Sequence, residues 1–338
     1  MKQSQCVGRL QGIRAIRMDT AVIPEPGPRD VLLQVAVSGI CGTDLALFRE
    51  GSAPAGAILG HEFSGTVVAA GSAVRGIGAG DRVVANPMVD GIGLGRFPGS
   101  FAEYLCLPAA ELGRNIFHLP PGVPDEIGAM IEPFAVGLHA ANRSRTKCGE
   151  KVVIFGAGPI GLCVLLALRA RDVSDILVID PSEMRRGIAL QMGASAVHDP
   201  GAGSSPAFVA SHFGAEQVPF ARQPIAQADI AFDCAGVGSV LEDAVHSLAL
   251  RGRLVIVADP HDLALPGLRL VMLRELEVLG ALAYDGEFAE GIALVERQAV
   301  DLRPLITHRF PLERLEEAFA AQEDADIAIK VLVESHVS

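Results

Sequence analysis

The sequence contains no tryptophan, only 2 tyrosines, and no two cysteines at C-x-x-C spacing. A chain of 338 residues is also too long to need a disulfide scaffold. The cysteine pattern therefore excludes a disulfide-rich secreted domain and indicates the cytoplasm, a reducing compartment. The first residues lack the apolar core and cleavage site of a secretory signal, so none is predicted. The scattered cysteines are Cys6, Cys41, Cys106, Cys148, Cys163 and Cys234.

Positive charge is also scarce, with 28 basic against 40 acidic side chains and a formal net charge of −12. This balance argues against nucleic acid and anionic membranes as partners and favours a small-molecule substrate. Half of the residues are hydrophobic and a fifth are charged, which is typical of packed globular proteins. The length favours two domains.

A long apolar run, from Val152 to Leu168, approaches the length of a membrane span. Three glycines and Pro159 within its first ten residues instead predict a strand, a tight turn and the start of a helix. The run therefore favours a nucleotide-binding turn over a transmembrane helix.

Two patterns of hydrophobic residues divide the chain. Residues 1–140 alternate with the period of half-buried strands between turn-rich loops, which predicts a small β domain. From 141 to 284, apolar strands alternate with helical stretches, which predicts a parallel doubly wound sheet. The tail, about 285–338, is expected to complete the first domain. The predicted fold class is thus α/β with a separate β domain.

The segment VVIFGAGPIG contains a G-x-G-x-x-G pattern between a strand and a helix. The glycines suit a tight turn, close approach of a pyrophosphate and packing of the helix on the sheet. Asp180 ends the next strand, where a carboxylate binds the adenosine ribose and repels the 2′-phosphate of NADP. An ordinary tight turn would explain the glycines alone, but their context favours NAD. Arg185 is either a solvated surface arginine or a residue that approaches a phosphate, and the second case leaves NADP open as the cofactor. The predicted cofactor-binding residues are Gly156, Gly158, Pro159, Ile160, Gly161, Asp180 and Arg185.

Cys41, His61 and Glu62 lie at glycine-flanked ends of predicted strands. A thiolate, an imidazole and a carboxylate are typical zinc ligands. Each residue alone is more often a buried cysteine or a satisfied polar side chain. Together they predict a metal site.

Two segments, ICGTD at 40–44 and GHEFSGTVVAAG at 60–71, resemble the zinc signatures of the medium-chain alcohol dehydrogenases, in the sorbitol, polyol and idonate branch. The resemblance spans nearly the whole chain. It implies a GroES-like catalytic domain that holds zinc, a Rossmann domain that holds the cofactor, a cleft for the alcohol between them, and a homodimer or homotetramer.

The resemblance also implies roles for single residues. Cys41 and His61 match metal ligands of the family, and Glu132 in IEPFAVGLHA resembles the glutamate that replaces a cysteine ligand in the polyol branch. Glu62 is then either a ligand or an anchor beside the metal, and Glu132 is alternatively a carboxylate at a helix start. Asp44 is expected to orient His61.

The sequence departs from the family in two places. No cysteine lies between Arg82 and Tyr104, where many members insert a lobe that binds a second, structural zinc, so one catalytic zinc per chain is predicted. Ala46 stands where a histidine often relays the substrate proton to solvent. Thr43 is left to receive the hydroxyl proton, and the path beyond it stays open.

The implied reaction is hydride transfer between a secondary alcohol or polyol and NAD, with zinc lowering the pKa of the substrate hydroxyl. Two alternatives are a zinc-free quinone or enoyl reductase of the same superfamily and a non-catalytic nucleotide-sensing protein. The substrate is not identified. The residues suggested as lining the pocket are Phe48, Phe97, Phe117 and Leu119.

Overall fold

A computed structural model describes residues 3–219, 223–259 and 268–335. Contacts divide the chain into two compact units, one formed by residues up to 132 and from 288 onwards, the other by 133–287.

The first part of the chain forms, in order, β1 (Ser4–Gly12), β2 (Ala15–Val22), β3 (Val31–Gly39), α1 (Gly42–Glu50), β4 (Glu62–Ala70), β5 (Arg82–Ala85), β6 (Tyr104–Leu107), β7 (Ile116–His118) and α2 (Asp125–Ala129). The middle forms α3 (Ile131–Ser144), β8 (Val152–Phe155), α4 (Pro159–Arg169), β9 (Ile176–Ile179), α5 (Glu183–Gln191), β10 (Ala196–His198), α6 (Ser205–Phe213), β11 (Ala215–Glu216), β12 (Ile225–Ala226), β13 (Ala228–Asp233), α7 (Gly238–Ser247), β14 (Leu248–Ile256), α8 (Leu268–Leu273) and β15 (Glu277–Gly280). The last part forms α9 (Glu287–Glu296), β16 (Ile306–Pro311), α10 (Leu315–Glu323) and β17 (Lys330–Glu334).

The first unit is built on a sheet in the order β16-β17-β3-β4-β5-β7, with β6 also paired to β3. All its pairs are antiparallel except β16 with β17. Strand β17 pairs directly with β3, so the end of the chain contributes to the sheet that carries the start. This pairing places Lys330 near the ends of β3 and β4.

The second unit contains a parallel sheet in the order β10-β9-β8-β13-β14-β15. Helices alternate with these strands, and β8 and β9 are buried along their whole length. This order is that of a doubly wound nucleotide-binding fold, which binds ligands where the strand order reverses, between β8 and β13. The predicted α/β fold class is confirmed.

The apolar run from Val152 to Leu168 forms β8, a turn and most of α4, as predicted. Pro159 is the first residue of α4, where its missing N–H costs no helical hydrogen bond. Across the described ranges, no helix combines the length and the apolar character needed to cross a membrane.

Two local predictions differ from the structure. The alternating stretch from Thr66 to Ala69 predicts a strand that begins at Thr66, whereas β4 begins at Glu62, so the metal-ligand motif itself opens the strand. The prediction that Phe48 lines the pocket is wrong. Phe48 is buried in the apolar core of the first unit, with its ring centroid 5.1 Å from that of Phe319. Its position on the inner face of α1 explains this, because that helix was not recognised in the sequence.

Candidate metal centre and nucleotide site

The start of α1 fixes the position of Cys41. Cys41 caps the helix in an extended conformation, and the Asp44 carboxylate accepts a hydrogen bond from the Cys41 backbone N–H at 2.9 Å. A carboxylate that bonds back to the capping residue satisfies one of the free N–H groups at a helix start. Gly51, in the left-handed conformation, ends the helix. The thiol therefore lies at a rigid junction between β3 and α1.

The structure brings together three of the predicted metal ligands. One potential ligand atom from each of Cys41, His61 and Glu62 lies within 4.8 Å of the others. His61 is 4% exposed and Glu62 is 1% exposed. This is a donor set that suits zinc, and the three side chains are close enough to share one ion.

Asp44 lies beside this group, as expected, but its contact with His61 is long. Its Oδ1 is 3.5 Å from His61 Nδ1, which is a buried nitrogen with no hydrogen-bond partner of its own. The same oxygen accepts a hydrogen bond from the Gly60 N–H at 3.1 Å. An imidazole whose Nδ1 faces a buried carboxylate fits a metal-ligating histidine, because such histidines direct the ring nitrogen that does not bind the metal at a carboxylate or a carbonyl.

Charge also favours a cation at this place. Burial lowers the pKa of His61, but Asp44 and Cys41 outweigh that effect and raise the pKa well above its ordinary value. The imidazole is therefore surrounded by groups that stabilise positive charge.

Lys330 completes the surroundings of Glu62 and was not anticipated from the sequence. Its ammonium lies 2.7 and 2.6 Å from the two Glu62 carboxylate oxygens and donates to the Ile40 carbonyl at 2.9 Å. Lys330 is 1% exposed. Burial would lower the pKa of Lys330, but Glu62, Cys41 and Glu132 together raise it, so the ammonium stays charged. The sequence signal was a lysine within the buried strand IKVLV.

Glu132, Thr43 and Ala46 occupy different positions around the centre. Glu132 lies at the start of α3, is 8% exposed, and stands outside the compact three-residue group. Its charge nevertheless acts on Lys330. Thr43 is exposed in the first turn of α1, and Ala46 is half-buried one turn further on.

The glycine-rich turn follows β8 in the second unit. Gly156 has a φ of +96°, and a Cβ there would lie 3.1 Å from the backbone at Cys234 and Ala235. A Cβ at Gly161 would lie 1.8 Å from the Gly156 carbonyl oxygen. Both positions thus require glycine for turn geometry and packing. Gly158 caps α4, and a Cβ there would meet only Arg185 Nη1, at 3.8 Å.

Asp180 follows β9 and braces the same turn. One carboxylate oxygen accepts from the Ala157 N–H at 2.7 Å and the other from the Ser182 N–H at 2.8 Å. A carboxylate oxygen has two lone pairs, so each still has capacity for a ribose hydroxyl. Arg185, in α5, places its guanidinium beside Gly158. The predicted nucleotide residues therefore lie together at one end of the parallel sheet.

Comparisons with known proteins agree with this architecture. The profile of the alcohol dehydrogenase GroES-like domain matches residues 27–120, and that of the zinc-binding dehydrogenases matches 159–297. Sorbitol dehydrogenase of Bos taurus is 31% identical over 94% of this chain and 92% of its own length.

Solved structures give the same result. The chain superimposes with a TM-score of 0.88 on 2R,3R-butanediol dehydrogenase from Bacillus subtilis, at 30% identity over 98% of this chain and all of that one. A zinc-binding dehydrogenase from Sinorhizobium meliloti, bound to NADP, gives a TM-score of 0.85 at 29% identity, over 99% and 100% of the two chains.

The fold and the buried donor set define a zinc-dependent dehydrogenase with a nicotinamide dinucleotide cofactor. The chain belongs to the zinc-binding alcohol dehydrogenase family, with a GroES-like domain and a Rossmann domain. It is an oxidoreductase of that family.

Proposed function

We propose that this protein oxidises a small secondary alcohol or polyol with NAD. The observation that carries the proposal is the Cys41–His61–Glu62 group, with Cys41 half-buried and the other two residues buried, in a GroES-like domain. The sorbitol and butanediol dehydrogenases among the similar proteins act on vicinal hydroxyl compounds, and this supports a substrate of that kind.

We propose that Cys41, His61 and Glu132 hold the zinc, while Glu62 anchors the site from the side. Both Glu62 oxygens already accept from Lys330, so this carboxylate is neutralised without a metal. One thiolate and the Glu132 carboxylate would then balance the two positive charges of zinc. Buried charges are tolerated when they are paired in this way.

Bound zinc supplies a Lewis acid that lowers the pKa of a coordinated hydroxyl. The residues of the chain do the remaining work. Asp44 holds the Cys41 and Gly60 backbones, and so fixes the spacing of the two ligands. Thr43 lies two residues from Cys41 and is exposed, and we propose that it receives the hydroxyl proton. Because Ala46 cannot carry a proton, we propose that water continues the relay.

NAD is the proposed cofactor because of Asp180. We expect Asp180→Ser to raise the ratio of kcat/KM with NADP to kcat/KM with NAD, since the carboxylate no longer repels the 2′-phosphate or accepts from the ribose. A lost charge-assisted hydrogen bond costs about 1.5 to 3 kcal/mol, or roughly 10- to 100-fold in relative efficiency. Asp199→Asn, which removes a charge just after β10, is the control. Equal wild-type efficiency with both cofactors would contradict the assignment.

The proposed function is tested by a cofactor-reduction screen over short secondary alcohols, sugar alcohols and sugar acids. We expect NADH formation with at least one vicinal hydroxyl compound, and its loss on zinc removal. Turnover of quinones or enoyl compounds by metal-free protein would favour the zinc-free reductase instead.

We further propose that the protein is a cytoplasmic homodimer or homotetramer. All six cysteines are free, which supports a reducing compartment. Strand β15 lies at an edge of the parallel sheet; Val278 within it is 39% exposed, and Leu282 just after it is 83% exposed. An open edge with exposed apolar side chains is a surface for pairing with a second copy. Light scattering on purified protein distinguishes these assemblies from a monomer.

A further inference from the structure

The loop of residues 91–101 lies in the cysteine-free stretch between Arg82 and Tyr104. It packs along the segment that carries His61. The backbone N–H groups of Gly99, Ser100 and Phe101 donate to the carbonyls of Ile58, Gly60 and Leu59 at 2.8, 2.9 and 3.1 Å. The loop therefore runs beside this segment as a hydrogen-bonded neighbour.

The loop is anchored at both of its ends. Ile92 is 1% exposed and packs in the same apolar cluster as Phe63 of β4. Ser100 is buried, and its hydroxyl lies 2.5 Å from that of Ser38. Because both anchors lie in the sheet that carries the metal ligands, the loop has a fixed position relative to them.

The loop contacts the segment that carries His61 through the backbone of two glycines. A Cβ at Gly93 would lie 1.9 Å from the Gly60 carbonyl oxygen and 2.5 Å from its carbonyl carbon. A Cβ at Gly99 would lie 2.3 Å from the Leu59 oxygen and 2.4 Å from the Gly60 oxygen. The Gly60 carbonyl carbon is bonded to the nitrogen of His61. An atom added at Gly93 therefore forces a shift at this contact, and the peptide that carries the histidine is one of its two sides.

The opposite side of Gly60 is held as well. Its N–H donates to Asp44, which also accepts from the backbone of Cys41. The peptide before His61 is thus clamped between Asp44 and the 91–101 loop. Close-packed neighbours transmit displacements of this size because the interior has little free volume.

We infer that the 91–101 loop positions the metal ligand His61 through the contact of Gly93 and Gly99 with Gly60. The loop contains no cysteine, histidine or acidic side chain, and it contacts the segment next to the metal site through its backbone. Gly93 and Gly99 are positioning residues, which act on the site only through the Gly60–His61 peptide. The inference rests on the metal site of the proposed function.

The test compares Gly93→Ala with Gly91→Ala. Both glycines have a left-handed φ, +69° and +72°, so both variants carry the same backbone strain. Space around Gly91 is open, with no atom within 4 Å of an added Cβ. Only Gly93→Ala should therefore move His61. Gly99→Ala tests the same contact at a position without left-handed strain.

The readouts are metal affinity and the spectrum of bound Co²⁺. We expect Gly93→Ala and Gly99→Ala to weaken Zn²⁺ binding, measured against a competing chelator, by roughly 10- to 100-fold, as for other groups that orient ligands. The Co²⁺–thiolate absorption bands should shift in these variants and stay unchanged in Gly91→Ala. NADH binding by the other unit should be the same in all three.

The possible failures are distinct. If the wild type takes up neither Zn²⁺ nor Co²⁺, the proposed function is wrong. If the wild type binds both and Gly93→Ala and Gly99→Ala match Gly91→Ala in affinity and spectrum, the function stands and the positioning role is wrong. Should Gly93→Ala fail to fold by circular dichroism, Gly99→Ala alone decides.

Discussion

Replacing Cys41 with serine or His61 with alanine should remove the bound zinc and abolish turnover while NADH binding persists. The two residues supply two of the three proposed protein ligands, and they lie in a different unit from the nucleotide turn. Loss of Lewis-acid stabilisation worth several kcal/mol corresponds to a decrease in kcat/KM of about three orders of magnitude. Elemental analysis, alcohol-dependent NAD reduction and NADH fluorescence titration measure the three quantities.

The wild type should contain one zinc ion per chain. In the part of the chain that the structure describes, Cys41, His61 and Glu62 form the one cluster of three or more potential ligands. Cys106→Ser, in β6 of the same unit, is the matched control and should keep both zinc and activity. Near-normal turnover by Cys41→Ser or His61→Ala would show that the zinc mechanism is wrong. Two zinc ions per chain would show that the chain also holds a structural zinc.

Sequence patterns located most of the residues that the structure brings together in the metal group and in the glycine-rich turn, because those residues lie in short segments of the chain. The two short segments around Cys41 and His61 contain most of the metal group. The turn from Gly156 to Gly161 requires glycine at both of these positions. Helix α4 follows that turn directly, so its start could be placed within one residue of Pro159. Sequence patterns are enough to locate a motif when its residues are neighbours in the chain.

Contacts between residues far apart in the chain could not be predicted from the sequence. Lys330 lies 268 positions from Glu62 and reaches it only because β17 pairs with β3, a register that periodicity does not specify. Helix α1 was missed because its nine residues, GTDLALFRE, are short and mixed in character. It forms because the Cys41–Asp44 cap and the Gly51 stop define its ends. Its inner face then buried Phe48, which the sequence had suggested as a pocket residue.

The pairing of Lys330 with Glu62 leads to the second large expected effect. Lys330→Met keeps the length and apolar stem of the side chain but leaves the Glu62 carboxylate buried and unpaired. Removing one partner of a buried ion pair destabilises a protein by about 3 to 5 kcal/mol. We expect that loss in the unfolding of the metal-free protein, followed by circular dichroism because the chain has no tryptophan.

The control for Lys330→Met is Arg251→Met, whose partner is Glu275. Those side chains are 81% and 68% exposed, and exposed pairs contribute little to stability, so no measurable change is expected. The double variant Lys330→Met with Glu62→Gln should recover much of the lost stability, because neither side chain is then a buried unpaired charge. Strict additivity of the two single substitutions would mean that the ion pair does not stabilise the site. A Lys330→Met variant as stable as Arg251→Met would lead to the same conclusion, and Glu62 would then be free to act as a metal ligand in its own right.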